Sequence, residues 1–221
     1  MAKMKDTLLK KRGRYNTSGL VEAQFEAGSR SRVLKNLLGI KKKNEMDRIE
    51  AEALKRTVDT IIRWYDVNHR FNAEDICHIQ KIWLGDIYEW AGKYRQVNLS
   101  VRDFTFAAAS QIPRLMDEYE DGPLRRHTPC NFKSIDRLIK SLAEVHTELL
   151  IYPFREGNGR VARILATLMA YQAGIPLLDF RTIRGKGRQK YIAAVRAGMD
   201  RNYLPMEMIF RTVLRRTLSG A

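Results

Sequence analysis

One carboxylate, two glycines and two arginines fall within the eight residues from Glu156 to Arg163, in the run Ile-Tyr-Pro-Phe-Arg-Glu-Gly-Asn-Gly-Arg-Val-Ala-Arg. Gly157 and Gly159 let a backbone turn tightly and come close to a ligand. If a helix begins at Asn158, the amides of Gly157, Asn158 and Gly159 lie at its N-terminus, where unpaired N–H groups and the helix dipole favour an anion. Arg160 adds a permanent cation in the first turn, and Arg163, three residues on, shares its face. Glu156 is a hard oxygen ligand of the kind that holds Mg²⁺ against phosphates. This chemistry is that of a nucleotide-phosphate site. The plainer alternative is a Gly-Asn-Gly turn between two helices with solvated arginines. The run is not a Walker A loop, because no G-x-x-x-x-G-K-[ST] occurs.

The elements around that run read as helices. Pro153 ends the helix before it, since a residue preceding proline is pushed out of the α region. Ser134 opens that helix, with Ile135, Leu138, Leu142, Val145 and Leu149 inward. Asn158 to Gln172 forms the helix after it, stopped by Gly174. Upstream, Asn44 caps a helix with Met46, Ile49, Ala53, Val58, Ile61 and Tyr65 on one stripe. Asn72 caps another, with Ile76, Ile79, Trp83 and Ile87 buried. A shorter helix runs from Ile112 to Tyr119, with Pro113 in its first turn. Two more lie at Gln189 to Met199 and Met206 to Leu218. Tyr94 to Phe106 holds no helical period and reads as an extended hairpin or flap. Trp64, Trp83 and Trp90 read as core, His146 as a core histidine, and Ile183 to Lys190 as a solvated basic loop. The expected fold is all-α, a helical bundle with a small β-hairpin flap.

Composition bounds the function. The 221 residues are 44% hydrophobic and 29% charged, which describes a globular protein with a real core. No run of 18 apolar residues occurs, so no membrane span is expected, and the lysine-rich start from Met1 to Arg14 lacks the apolar stretch of a secretory signal. Cys77 and Cys130 have no metal-ligand spacing and fit a reducing, cytoplasmic setting. The net charge of +15 is concentrated at the ends: +9 over residues 1–43, −2 over 44–180 and +8 over 181–221. End-loaded charge suits solubility or an acidic partner better than a dedicated nucleic-acid site, and no recognition module accompanies it.

The run from Tyr152 to Arg163 resembles the signature of the Fic (filamentation induced by cAMP) domain family, H-P-F-x-[DE]-G-N-G-R-x-x-R. The segment Leu84 to Arg95 (LGDIYEWAGKYR) is similar to the stretch ahead of that family's flap, and Val97 to Phe106 lies where the flap belongs. The resemblance covers about residues 45–215. It implies a Fic domain over 45–221, preceded by a basic region, 1–44, that packs on the core. It also implies a protein adenylyltransferase that moves AMP from Mg-ATP to a hydroxyl of a target protein. On that resemblance Gly157, Asn158 and Gly159 form the anion hole and Glu156 holds Mg²⁺. Arg160 contacts phosphate, Arg163 orients the γ-phosphate, and Phe154 packs the loop into the core. The flap, with Val97, Leu99, Val101 and Phe104, holds the target segment by strand addition. Tyr191 and Tyr203 are candidate neighbours of adenine, neither assigned.

One departure bears on activity. Tyr152 stands where the family has its general-base histidine. A phenol with a reference pKa near ~10 is ionised in only about one molecule in a thousand at pH 7. Loss of a general base removes roughly 10² to 10⁴ in rate. Three readings of Tyr152 stand open: an intact nucleotide site with weak or absent transfer, a substitution introduced into the chain, or a phenolate activated by the anion hole and arginines. A nucleotide-binding regulatory or interaction protein without transferase activity is the alternative function. Some family members carry an inhibitory helix, [ST]-x-x-x-E-[GN]. Ser18 to Ala23 matches it except at Ala23, which makes Glu22 a candidate inhibitory partner of Arg163 or else part of a surface segment. In other members a separate small antitoxin inhibits.

Overall fold

The computed structural model describes residues 19–101, 104–150, 153–185 and 187–220. Tyr152, Ser18 and the side chains of Val101 and Phe104 therefore lie outside the described residues. Among the described residues eight α-helices follow one another: α1 (Lys43–Ile61), α2 (Ala73–Leu84), α3 (Ile112–Tyr119), α4 (Arg125–His127), α5 (Ile135–Leu149), α6 (Asn158–Gln172), α7 (Gly187–Met199) and α8 (Leu204–Ser219). The fold is all-α. The one ladder of paired strands among the described residues is a pair of two-residue strands, β1 (Ser100–Val101) and β2 (Phe104–Thr105), antiparallel with Ser100 opposite Thr105.

Local chemistry explains most of the helix limits. Asn72 accepts from the Asp75 amide, and Asp75 accepts in return from the Asn72 amide, a complete capping box. Ser134 accepts from the Arg137 amide at 3.4 Å. Pro113 and Pro205 sit in the first turns of α3 and α8, where a missing N–H costs nothing. Helix α3 continues through a π-helical turn at Glu120–Leu124 into α4; Pro123, inside that turn, cannot donate to the α ladder.

Four expectations need correction. Asn44 does not cap α1: the helix starts at Lys43, after Lys42, and Asn44 Oδ1 accepts instead from the Glu45 amide. Ile135 points outward, as expected of a residue in the first turn that has not yet reached the core. Trp64 is 55% exposed, because α1 stops at Ile61 and the chain turns before it; its ring stacks on His78 at 5.5 Å. Gly187 to Lys190 is the first turn of α7 rather than loop, preceded by a 3-10 turn at Phe180–Ile183.

The core is centred on α5, which packs against α6, α7 and α8, while α2 joins α1 to α6. From Val161 to Ala170, Arg163 is the one residue of α6 that is not fully buried. That position lets an arginine reach a cavity from inside an otherwise apolar helix. Helix α7 approaches α5 closely at Gly198, where an added Cβ would stand 1.9 Å from Thr147 Cγ2. Residues 19–42 lie on the same core: Val33 and Leu34 are buried, and the Leu37 amide donates to the Ile87 carbonyl at 2.8 Å. No helix among the described residues is long and apolar enough to cross a membrane.

Candidate nucleotide site

Residues 153–157 cross from α5 to α6, and their backbone is pinned from several sides. The Arg95 amide donates to the Pro153 carbonyl at 2.9 Å. Asn158 brackets Phe154: its Oδ1 accepts from the Phe154 amide and its Nδ2 donates to the Phe154 carbonyl, both at 2.8 Å. Gln80 on α2, fully buried, donates to the Glu156 carbonyl at 3.2 Å. Phe154 itself is wholly buried. The Asn158 side chain thus shapes the loop, and its backbone amide is what remains for a ligand.

Gly157 is required twice over. Its φ is +87°, and a Cβ there would lie 2.4 Å from the Trp83 indole. Among the described residues the amides of Asn158 and Gly159 have no acceptor, as the first turn of a helix dictates. The Gly157 amide donates to Glu156 Oε1 at 2.9 Å. These residues, with Leu99, Ser100, Phe106, Arg155, Arg160 and Arg163, line a cavity of about 350 Å³. A second cavity, of about 600 Å³, shares Phe106, Gly159 and Arg163 with it and runs between α6 and α7. Phe180, Ile183, Ile192, Val195 and Met199 give it an apolar wall, and Tyr191, Arg184 and Arg188 its polar groups.

The two arginines of the run are held differently. Arg160 donates from Nη1 to Glu50 Oε2 at 2.8 Å and from Nη2 to Glu156 Oε1 at 3.0 Å, and its guanidinium stacks over Trp83 with the central carbon 4.5 Å from the ring centroid. Glu50, on α1, is buried; it also accepts from the Tyr88 hydroxyl at 2.8 Å. Desolvation and the Glu50 carboxylate push the Tyr88 phenol well above its ordinary pKa, so it stays a donor. Arg163 has no carboxylate partner among the described residues. Burial lowers its pKa, and the nearby Tyr191 oxygen opposes that shift.

Glu50 and Gln80 escaped the sequence reading. The signal for Glu50 was a glutamate in step with Met46, Ala53, Thr57 and Ile61 on the buried stripe of α1. A charged residue on an apolar stripe requires a partner. Gln80 carried no comparable signal.

The remaining expected site residues separate into those brought together and those not. Glu156, Gly157, Asn158, Gly159, Arg160 and Arg163 converge on one cavity. Glu22 does not meet Arg163: its Oε1 accepts from the Gln96 amide at 2.6 Å, and its carbonyl accepts from Arg155 Nε at 2.9 Å. Val97 is buried, and its carbonyl accepts from Arg95 Nη1 at 2.8 Å. Arg95, itself buried, also donates to the Ala107 carbonyl at 2.6 Å and so clips together the two ends of the 97–107 segment. Leu99 lines the smaller cavity. Tyr203 donates to Glu148 on α5, whereas Tyr191 lines the larger cavity.

The donor set also bears on a metal. No group of three or more His, Cys, Asp or Glu side chains among the described residues could hold an ion alone. Glu156 is 42% exposed on the cavity, and its Oε2 has no partner among the described residues. One carboxylate supplemented by phosphate oxygens and water is a normal Mg²⁺ environment, so the residues fit a metal that arrives with a nucleotide.

Residues 70–170 match the model of the Fic/DOC family. The protein adenylyltransferase VbhT of Bartonella schoenbuchensis is 32% identical over 147 residues, covering 64% of this chain and 30% of VbhT. A protein adenylyltransferase of Bartonella henselae is 26% identical, over 81% of this chain and 35% of that protein. The chain therefore spans about a third of the length of these curated relatives. Among solved structures, the N-terminal Fic domain of a VirB-translocated effector of Bartonella quintana, with bound ADP, superposes with a TM-score of 0.68 at 25% identity, covering 86% of this chain and 94% of that one.

Proposed function

We infer from the Fic/DOC domain at residues 70–170 that the chain is a nucleotide-binding scaffold of the protein adenylyltransferase type, with its transfer step weakened at Tyr152. The observation that carries this reading is the juxtaposition, on one cavity, of Arg160 and Arg163 with the Asn158 and Gly159 amides, which have no acceptor among the described residues. Adenylyltransferase relatives and an ADP-bound Fic domain of similar fold support it. The domain would occupy 45–221, with residues 1–44 as a region packing on it.

In this reading the triphosphate lies along the first turn of α6. The two amides and the helix dipole receive the inner phosphates, and Arg163 the terminal one. The nucleoside extends toward the apolar wall of the larger cavity. Glu156 would hold Mg²⁺, which neutralises phosphate charge as the bond to pyrophosphate breaks. A phosphate competing for the Gly157 amide and Arg160 would release Glu156 Oε1 for that role. Glu50 keeps Arg160 fixed when Glu156 leaves it, so the cation need not reorganise on binding. A target segment would pair its main chain with the flap near Leu99 and Ser100, with Val101 and Phe104 as further flap residues. The target hydroxyl then attacks the α-phosphorus, its oxygen bonds to phosphorus, and pyrophosphate leaves. The hydroxyl proton needs an acceptor, and at position 152 a phenol is a poor one.

The same substitution favours a second reading, a nucleotide-binding interaction protein that transfers nothing. Both predict saturable binding of Mg-ATP by titration calorimetry, weakened at least about tenfold in Arg160→Ala, which removes a charge-assisted phosphate contact. A chain that is folded by thermal melt yet shows no saturable ATP binding contradicts both.

A further inference from the structure

Outside the Gly-Asn-Gly run, α5, α6 and α7 share a polar chain, centred on the buried His146, that leads to the cavity lined by Arg163. The Ala162 carbonyl on α6 can only accept, so His146 Nδ1, 3.2 Å away on α5, must carry the ring proton. That tautomer leaves Nε2 as an acceptor, and it takes the Tyr191 hydroxyl of α7 at 2.7 Å. With its proton committed to His146, the Tyr191 oxygen is left with lone pairs, and it lines the same cavity as the Arg163 guanidinium. The direction of the His146–Tyr191 bond is therefore fixed by the first.

We propose that His146 and Tyr191 are positioning residues, a tautomer-locked pair that aims the Arg163 guanidinium at the terminal phosphate of the bound nucleotide. This deepens the nucleotide reading and rests on it. A long arginine side chain has many rotamers, and holding it in place before the ligand arrives removes an entropic cost from binding. Arg160 has two carboxylates to hold it, but Arg163 has none among the described residues. A carboxylate partner would cancel the charge that a phosphate needs, whereas a phenol fixes direction and leaves the charge intact.

His146 is not a substitute for the base missing at position 152. Burial, with Arg163 nearby, pushes its pKa down to about 3, so it remains neutral and accepts the Tyr191 proton without taking it. The ring is also fixed sterically, edge-on to Phe210 of α8 at 5.3 Å. Close packing of α7 on α5 at Gly198, seven residues beyond Tyr191 and on the same face, brings the two side chains within reach.

The test compares Mg-ATP, Mg-ADP and AMP titrated into the chain and into Tyr191→Phe, which keeps the ring and loses the hydroxyl. The expected result is ATP affinity weakened by about tenfold, the scale of one charged hydrogen bond, with AMP affinity unchanged. His146→Gln, in a different helix, is expected to lower the ATP-to-AMP preference in the same direction. A merely structural role would weaken all three ligands together. Equal preference for ATP over AMP in the chain and both variants overturns the positioning role while leaving the nucleotide site standing. Failure of the unaltered chain to bind any of the three overturns the nucleotide reading, and this proposal with it. Should Tyr191→Phe fold poorly, the His146 ring answers directly: ¹⁵N NMR of the unaltered chain should show a protonated Nδ1 and an unprotonated Nε2, and the opposite tautomer contradicts the proposal.

Discussion

Two residues show how far the site depends on exclusion and on remote partners. Gly157 must be glycine because its φ of +87° and the Trp83 ring 2.4 Å from a Cβ leave no room for a side chain. Gly157→Ala should therefore destabilise the chain by about 1–3 kcal/mol, the cost of overpacking and a strained φ together, and should weaken ATP binding. Denaturant melts and calorimetry on the same sample would measure both. Glu50 is 4% exposed and Arg160 28%, so their ion pair is only partly screened. Glu50→Ala leaves Arg160 with Glu156 as its remaining carboxylate, and should cost about 2–4 kcal/mol, near the lower end for a broken buried pair. Glu50→Gln, whose one amide oxygen can still accept from Arg160 while its Nε2 donates to the Tyr88 oxygen, should cost less. A denaturant midpoint unmoved in Glu50→Ala would show that the pair contributes nothing. The Glu156-to-Arg163 run was legible in the sequence because its donors are consecutive. Glu50 was not, because it stands 110 residues from Arg160 and only folding brings them together.

Among the elements, α5, α6 and α7 decide the site together. The starts of α2, α3 and α5 were readable because each has a local signal, a capping box, a proline or a serine cap, and that of α6 because Gly157 precedes it. The start of α7 was not, because glycines and basic residues around position 187 look like loop until the helix that follows packs on α5. That packing has a specific consequence at acid pH. His146 is neutral in the fold, with a pKa of about 3, whereas the unfolded chain protonates it near ~6.5. Below pH 6.5 the unfolded state binds a proton that the native state does not, so stability falls with falling pH at about 1.4 kcal/mol per unit. From pH 6.5 to 5 this amounts to about 2 kcal/mol. Urea midpoints at those two pH values should shift less in His146→Gln, and an identical shift would contradict a buried neutral histidine. Gly198→Ala, which would force a Cβ against Thr147, should lift α7 from α5 and cost about 1–3 kcal/mol in the same assay.

For the molecule as a whole, the all-α class followed from helical periodicity nearly everywhere, and the departure at Tyr94 to Phe106 marked the segment that holds the paired strands. What periodicity could not supply was the clip that closes this segment, because Arg95 reads as one more charged residue until its guanidinium is seen buried on two backbone carbonyls. The expected pairing of Glu22 with Arg163 failed for a related reason: five positions of a pattern do not say which backbone amide will reach the carboxylate first, and Gln96 does. The remaining question is whether this assembly still transfers a nucleotide. The direct measurement is label transfer from α-labelled Mg-ATP to protein in a cell lysate, with this chain compared with Tyr152→His and with Tyr152→His/Glu156→Ala. A scaffold intact except at its base predicts roughly 10² to 10⁴ more label with Tyr152→His, abolished when Glu156 is also removed. Equal transfer with tyrosine and histidine at position 152 would contradict the account.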